Sequence, residues 1–211
     1  MTNQPKSLIS HLSPLIIFLL IAPFTPWLDM AISGYFFHGH FQSNAFLSFM
    51  FDYGILPAWA AVFISVILWK KWRKAAYVLV LTLAIGSGLI VNVILKDHWG
   101  RPRPMQVVEF GGKQAFRPFY EPNFFHQPEP SKSFPCGHCS MGFFFFALAL
   151  VARRHQCRSL YYGGMALALG LGILLSVVRI AQGGHFFSDA LASALIMWYT
   201  AVILTAWIYR E

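Results

Sequence analysis

Arg179, His185 and Asp189 lie in the stretch Arg-Ile-Ala-Gln-Gly-Gly-His-Phe-Phe-Ser-Asp, between two long apolar runs. His185 and Asp189 share one face if the segment is helical. Ionisable groups bordering apolar runs are costly, and they usually mark a site and pair with one another. This trio suits attack on a phosphorus centre. Arg179 neutralises phosphate oxygens, His185 is the nucleophile, and Asp189 orients and charge-stabilises the imidazole. Two more segments carry matching chemistry. In Lys96-Asp97-His98-Trp99-Gly100-Arg101-Pro102-Arg103-Pro104 two cations, Lys96 and Arg103, can grip one phosphate from two sides. In Ser133-Phe134-Pro135-Cys136-Gly137-His138-Cys139-Ser140 the Pro and Gly announce a helix start. Free amides there form an anion site, and His138 is placed to protonate a leaving oxygen. Each segment alone also reads blandly, as snorkelling cations or a solvated histidine. Three such segments together do not.

The elements that must position these residues are membrane spans. Of 211 residues 57% are hydrophobic and 11% charged, where a soluble domain carries about 25% charged residues. The expected fold is all-α, one domain over residues 1–211, built as a six-helix membrane bundle. The spans are read at 8–27, 50–69, 75–95, 136–152, 160–180 and 187–209, the fourth short for a bilayer. Lys6 before an apolar core resembles a signal peptide, but no small-residue cleavage site follows, so the first run is read as a retained span.

Lys70, Lys71, Arg73 and Lys74 fill the second connection, and Arg153, Arg154 and Arg158 the fourth. Basic loops face the cytoplasm, which puts both termini inside and the first and third connections outside. The third, residues 97–134, breaks that rule with Arg101, Arg103, Lys113, Arg117 and Lys132, unless those charges bind an anion. Rich in Pro and Gly, it reads as an irregular extracytoplasmic cap. Its Glu109, Glu121 and Glu129 are expected to pair with Lys113, Arg117 or Lys132. Gly164, Ala168 and Gly172 on the fifth span, and Ala84 and Gly88 on the third, read as helix–helix contacts. Asn92 is an interhelical contact or a brace for Lys96. The net charge of +8 lies mostly in short loops and the site, so no nucleic-acid partner is expected.

Lys96 with Arg103-Pro104 fits Lys-x6-Arg-Pro, Pro135-x-Gly137-His138 fits Pro-Ser-Gly-His, and Arg179, His185 and Asp189 fit Arg-x5-His-x3-Asp. In order, spacing and span count the chain resembles the type 2 phosphatidate phosphatase superfamily of membrane lipid phosphatases. The resemblance implies a metal-independent lipid phosphatase working through a phosphohistidine, with no cofactor and no metal. His185 is then the nucleophile, Asp189 its partner and His138 the general acid. Lys96, Arg103, Arg179, Cys136 and the amides near Gly137 bind the phosphoryl group. The implied substrate is a lipid phosphomonoester or diphosphate: lipid A, undecaprenyl diphosphate, phosphatidylglycerophosphate or phosphatidate. The setting is a bacterial inner membrane with the site facing the periplasm, and transfer to a second lipid instead of water stays open. Two departures stand out. Val178 occupies the position where the family has Ser, with Ser176 the nearest hydroxyl, and Cys136 replaces another Ser.

Rival readings exist. Cys136-Gly137-His138-Cys139 matches the tetrapeptide of disulfide isomerases, so a membrane thiol oxidoreductase is one alternative. A disulfide between Cys136 and Cys139 that modulates a phosphate cradle is a second. Intramembrane charges also suit a transporter, but these cluster at one interface and not at the midplane. His38, His40 and His126 as a metal site is weaker than their reading as solvated loop residues.

Overall fold

A computed structural model describes residues 6–125, 127 and 129–210, with side chains from Leu12 onward. Lys6 and His126 therefore fall outside the described side chains. Helices are the only regular elements among the described residues, and they form six rods. The first joins α1 (Lys6–Ile21) and α2 (Thr25–Phe36) through a 3-10 turn at Ala22–Phe24, and the second joins α3 (Ala45–Tyr53) and α4 (Leu56–Ile67). The third is α5 (Trp69–Leu81) continued by a π-helix, Thr82–Lys96. The fourth is α6 (Gly137–Phe143) and α7 (Phe146–Arg154), the fifth α8 (Arg158–Ala181), and the sixth α9 (Phe187–Ile208).

Five runs are long and apolar enough to cross a membrane: residues 12–36, 45–67, 69–96, 158–181 and 187–208. The fourth rod is not among them, because it is broken into helices of 7 and 9 residues. It is the centre of the bundle, buried along nearly its whole length by the third, fifth and sixth rods. Phe143, Phe144, Phe145, Phe146 and Leu150 form the core with Leu83, Ala168 and Met197. The outer rods instead present Ile17, Leu20, Trp27, Phe63 and Trp207 on the surface. Such faces suit lipid, against which an exposed apolar side chain costs nothing.

The first run extends to Phe36, past the boundary expected at residue 27. Pro23 and Pro26 sit in the 3-10 turn and the first turn of α2, where a missing N–H leaves no helical bond unmade. They bend the rod without ending it, and the first connection shrinks to residues 37–44. Asn44 then caps α3, its side chain accepting from Leu47 N at 2.9 Å. Lys70, Lys71, Arg73 and Lys74, expected in a loop, lie in the first turns of α5, where Trp72 kinks the backbone.

Of the small residues, those on the fifth rod make the expected close approach. A Cβ on Gly164 would strike Ala149, and one on Gly172 would strike Phe143. On the third rod the expectation fails. Gly86 meets Met197, whereas Ala84 is exposed and Gly88 half-buried along a surface groove.

Candidate active site

One end of the bundle gathers all three motif segments. The π-helix delivers Lys96 at its last turn, and Asn92 braces the helix by donating to Ser87 O at 2.7 Å, which leaves Lys96 alone. In the connection that follows, residues 97–136, the helical pieces among the described residues are two 3-10 turns, Pro104–Gln106 and Val108–Phe110. Backbone bonds stitch it down: Met105 N donates to Gly183 O at 3.2 Å and Ser133 N to Arg101 O at 3.0 Å. Lys132 pairs with Asp97 at 2.7 Å, not with a loop glutamate, and holds that carboxyl below the usual carboxylate range. Glu129 accepts from Gln114 instead.

His185 lies in the five-residue gap between α8 and α9, fully buried. Its Nδ1 is 2.5 Å from the Ser133 carbonyl and 3.7 Å from Asp189 Oδ2. A carbonyl only accepts, so Nδ1 carries the proton and Nε2 holds the free lone pair. Orientation thus comes from Ser133 O, and Asp189 acts on the ring by charge. This differs from the expected division of labour, in which Asp189 did both. Burial pushes the imidazole down to about 4, against the upward pull of Asp189, so it is neutral at pH 7.

Arg179, in the last turn of α8, is held by Gln182 Oε1 at 2.6 Å and lies 4.7 Å over the Phe51 ring. Phe51 also stacks on His138, with centroids 4.5 Å apart. A Cβ on Gly184 would collide with the Arg179 guanidinium, and Gly183 turns at φ +64° against Phe41, which explains the paired glycines. Arg179 Nε is buried with no hydrogen-bond partner. Lys96 Nζ and the Arg103 guanidinium make no hydrogen bond or ion pair with another described residue, and both lie within electrostatic reach of Arg179. Above Arg103 and Arg179 opens a mouth of about 590 Å³ lined by Phe41, Phe51 and Gln182. Beside Lys96 and His138 a mostly apolar groove of about 380 Å³ runs between the second and third rods past Trp59, Ala84 and Gly88.

Cys136 precedes α6 and is joined to Cys139 by a disulfide. Its sulfur has no hydrogen to donate, so the expected side-chain contact of Cys136 with phosphate is lost. The amides of Gly137 and His138 remain, free of intrahelical partners at the helix start. Both sulfurs are wholly buried, out of reach of a protein thiol, which tells against the oxidoreductase reading. Val178 packs with Leu47 and Ala181, and the Ser176 hydroxyl is taken by Gly172 O at 2.7 Å, so it does not replace the missing serine. Among the described residues no three His, Cys, Asp or Glu gather as a metal cluster.

Two residues of this end were not among the site residues expected from sequence. Asp29 of α2 and Arg101 of the connection are both fully buried and ion-paired at 2.7 Å. Arg101, expected to meet an anion, has two protein carboxylates instead, Asp29 and Asp189. A lone acid in the apolar run Thr25–Phe36 was the available signal.

The sequence model of the PAP2 superfamily matches residues 76–211. The chain belongs to the PAP2 superfamily. Within this superfamily family it is 38% identical over 142 residues to a lipid A 4'-phosphatase of Francisella tularensis subsp. novicida, covering 67% of this chain and 61% of that one. It is 34% identical over 127 residues to a lipid A 4'-phosphatase of Rhizobium leguminosarum, covering 59% and 52%. The chain thus spans between half and two thirds of the length of these two relatives. No solved structure matches. The PAP2 match takes in every motif residue from Lys96 to Asp189 and leaves out the first two rods, which carry Asp29 and Phe51.

Proposed function

We propose that residues 1–211 act as one membrane domain that hydrolyses a phosphate ester of a lipid, with lipid A the first substrate to test because the relatives carry that name. The observation that carries this reading is the unpartnered Nε of buried Arg179 beside unpaired Lys96 and Arg103. Three cations that make no ion pair with a described acid, at the edge of an apolar bundle, suit a bound phosphoryl group.

The steps follow from the geometry. The phosphate settles among Lys96, Arg103, Arg179 and the amides at Gly137. His185 Nε2 attacks phosphorus in line, the P–O bond to the lipid breaks, and His138 gives its proton to the departing oxygen. Asp189 stabilises the charge left on the His185 ring. Water then attacks the phosphohistidine, His138 takes its proton, and the N–P bond breaks to release inorganic phosphate. The lateral groove suits an acyl chain, and the mouth a polar headgroup. The basic inner end, with Lys70, Lys71, Arg153 and Arg154, lies opposite the site, which supports a site facing the periplasm and cytoplasmic termini.

The test is phosphate release by purified protein in detergent with EDTA, across lipid A, undecaprenyl diphosphate, phosphatidylglycerophosphate and phosphatidate. Release by wild type and none by His185→Ala is expected. Equal release by both would end the mechanism. Release that needs a second lipid as acceptor would reassign it as a phosphotransferase. Orientation is read from Cys157, free and exposed at the inner end. A membrane-impermeant maleimide is expected to label it in inverted vesicles and not in intact cells.

A further inference from the structure

The cluster behind His185 reaches outside the part of the chain that matches the family. Arg101 Nη2 donates to Asp29 Oδ2 at 2.7 Å, Nη1 donates to Asp189 Oδ1 and to Ser188 Oγ, and Nε donates to Arg117 O. Ser188 closes the ring: its N–H donates to Asp29 Oδ1 at 2.8 Å and its hydroxyl to Asp29 Oδ2 at 2.6 Å. Asp189 Oδ2 accepts from Ser133 Oγ at 2.6 Å and Phe186 N at 2.8 Å. Every one of these partners of either carboxylate is a donor, which is the pattern of two ionised acids. The Phe186 ring covers the guanidinium at 4.5 Å. Asp29, Arg101, Ser188 and Asp189 have no exposed surface.

Two carboxylates against one guanidinium leave one net negative charge in a buried site, 3.7 Å from His185 Nδ1. Without Asp29, Arg101 would neutralise Asp189 and the cluster would carry no net charge. We propose that Asp29 is a positioning residue of the active site: it offsets Arg101, so that Asp189 keeps its negative charge toward His185 as that ring becomes cationic on phosphorylation. Arg101 meanwhile fixes where Asp189 sits, together with Ser133 and Phe186. This assignment rests on His185 being the nucleophile. It gives the first rod a part in catalysis although the PAP2 match begins at residue 76.

The charged and titratable groups facing His185 are Asp189 on α9, Arg179 on α8 and Lys96 on the third rod. His138 on the fourth rod and Arg103 on the connection complete the site. Those facing Asp29 are Arg101 and Asp189. Removing the Asp29 charge therefore lowers the proton affinity of His185 through this cluster alone.

The experiment compares wild type, Asp29→Asn, Asp29→Glu and His185→Ala, measuring kcat, KM and the acid limb of kcat/KM on one lipid phosphate. The same substrate throughout keeps its own ionisation constant. Asp29→Asn keeps the shape and loses the charge. It is expected to lower kcat by roughly 10- to 100-fold with KM within about 3-fold. Its acid limb is expected to move to lower pH, and Asp29→Glu to recover part of kcat. An unchanged kcat in Asp29→Asn, with His185→Ala inactive, overturns the proposal and leaves the catalytic reading standing. A lowered kcat with the acid limb unmoved marks a purely structural role and overturns it too. Activity in His185→Ala overturns the reading beneath it. If Asp29→Asn does not fold, Ser188→Ala serves. It loosens Asp29 without changing any charge, and is expected to lower kcat several-fold at constant KM; an unaltered kcat there overturns the proposal.

Discussion

Arg101 and Arg103 are two residues apart on one Pro-stiffened loop and have opposite surroundings. Arg101 is fully buried and bonded to two carboxylates, a hydroxyl and a carbonyl. Arg103 is half-buried and, with Lys96 and Arg179, forms a set of cations that make no ion pair with a described acid. The closed cluster satisfies its hydrogen bonds inside the protein and keeps one net negative charge, which faces His185. In the open set like charges are held together without an ion-paired acid among the described residues, and on the proposed function the phosphoryl group supplies the missing anion. Residue type does not distinguish the two cases, but the partner list does. A buried cation with a complete set of acceptors belongs to the architecture, and one with a vacant donor belongs to the ligand.

Substitution is the sharpest way to break that contrast. Arg101→Met leaves Asp29 and Asp189 buried without their shared cation. It should destabilise the fold by about 3–5 kcal/mol, read as a drop in the thermal midpoint in detergent. Arg179→Met and Arg103→Met remove repulsion instead. They should leave the midpoint unchanged or higher while lowering kcat/KM by roughly 10²–10³-fold. Similar thermal effects for Arg101 and Arg179 would erase the distinction. A second measurement sharpens it with a ligand. Inorganic phosphate at about a hundredfold excess over its Kd should stabilise wild type by about 2.7 kcal/mol. Arg179→Met should gain far less, and a variant of the cluster that still folds, such as Ser188→Ala, should gain as much as wild type.

The grouping of Lys96, Arg103 and Arg179 was legible in the sequence and the cluster was not, for a physical reason. Lys96 to Arg103, and Arg179 through His185 to Asp189, are short local spacings, so the chain itself keeps them close whatever the bundle does. The Asp29–Arg101 pair spans 72 positions and depends on how the first rod packs, which no periodicity encodes. The same limit explains the other differences. Pro26 looked like an end of a span, but a first-turn proline ends nothing. The short fourth span was visible, but not that the bundle wraps it. Ala84 and Gly88 looked like a packing stripe because small residues read alike whether a helix or a groove lies over them.

The pH dependence tests how far the two regions act on one ring. His185 is pushed down to about 4 by burial and drawn back up by Asp189. A protonated imidazole cannot attack, so the enzyme-borne acid limb of kcat/KM should fall near pH 4 and not near 6.5, the ordinary histidine value. A limb near 6.5 that persists with substrates of different phosphate ionisation would mean that His185 is more solvated than its fully buried position implies.

The smallest expected effect belongs to the disulfide. Cys136 and Cys139 enclose Gly137 and His138, the junction between the helix start and the proposed proton donor. A loop so short restrains little chain, about 2 kcal/mol on the entropy account, so breaking it should not unfold the bundle. What it restrains is the first turn of α6. Cys139→Ser should therefore lower kcat by a few-fold through a looser His138, with KM nearly constant because the cations are anchored elsewhere. Cys136→Ser should lose less, since a serine there caps the helix that the half-cystine now begins. Both sulfurs are buried, so wild type should resist mild reductant while folded, and neither variant should respond to it. Equal kcat in wild type and Cys139→Ser, with and without reductant, would reduce the disulfide to a packing element. A loss as large as that of Arg179→Met would instead move it into the cradle, and the line drawn between Arg101 and Arg103 would then have to include a third kind of restraint.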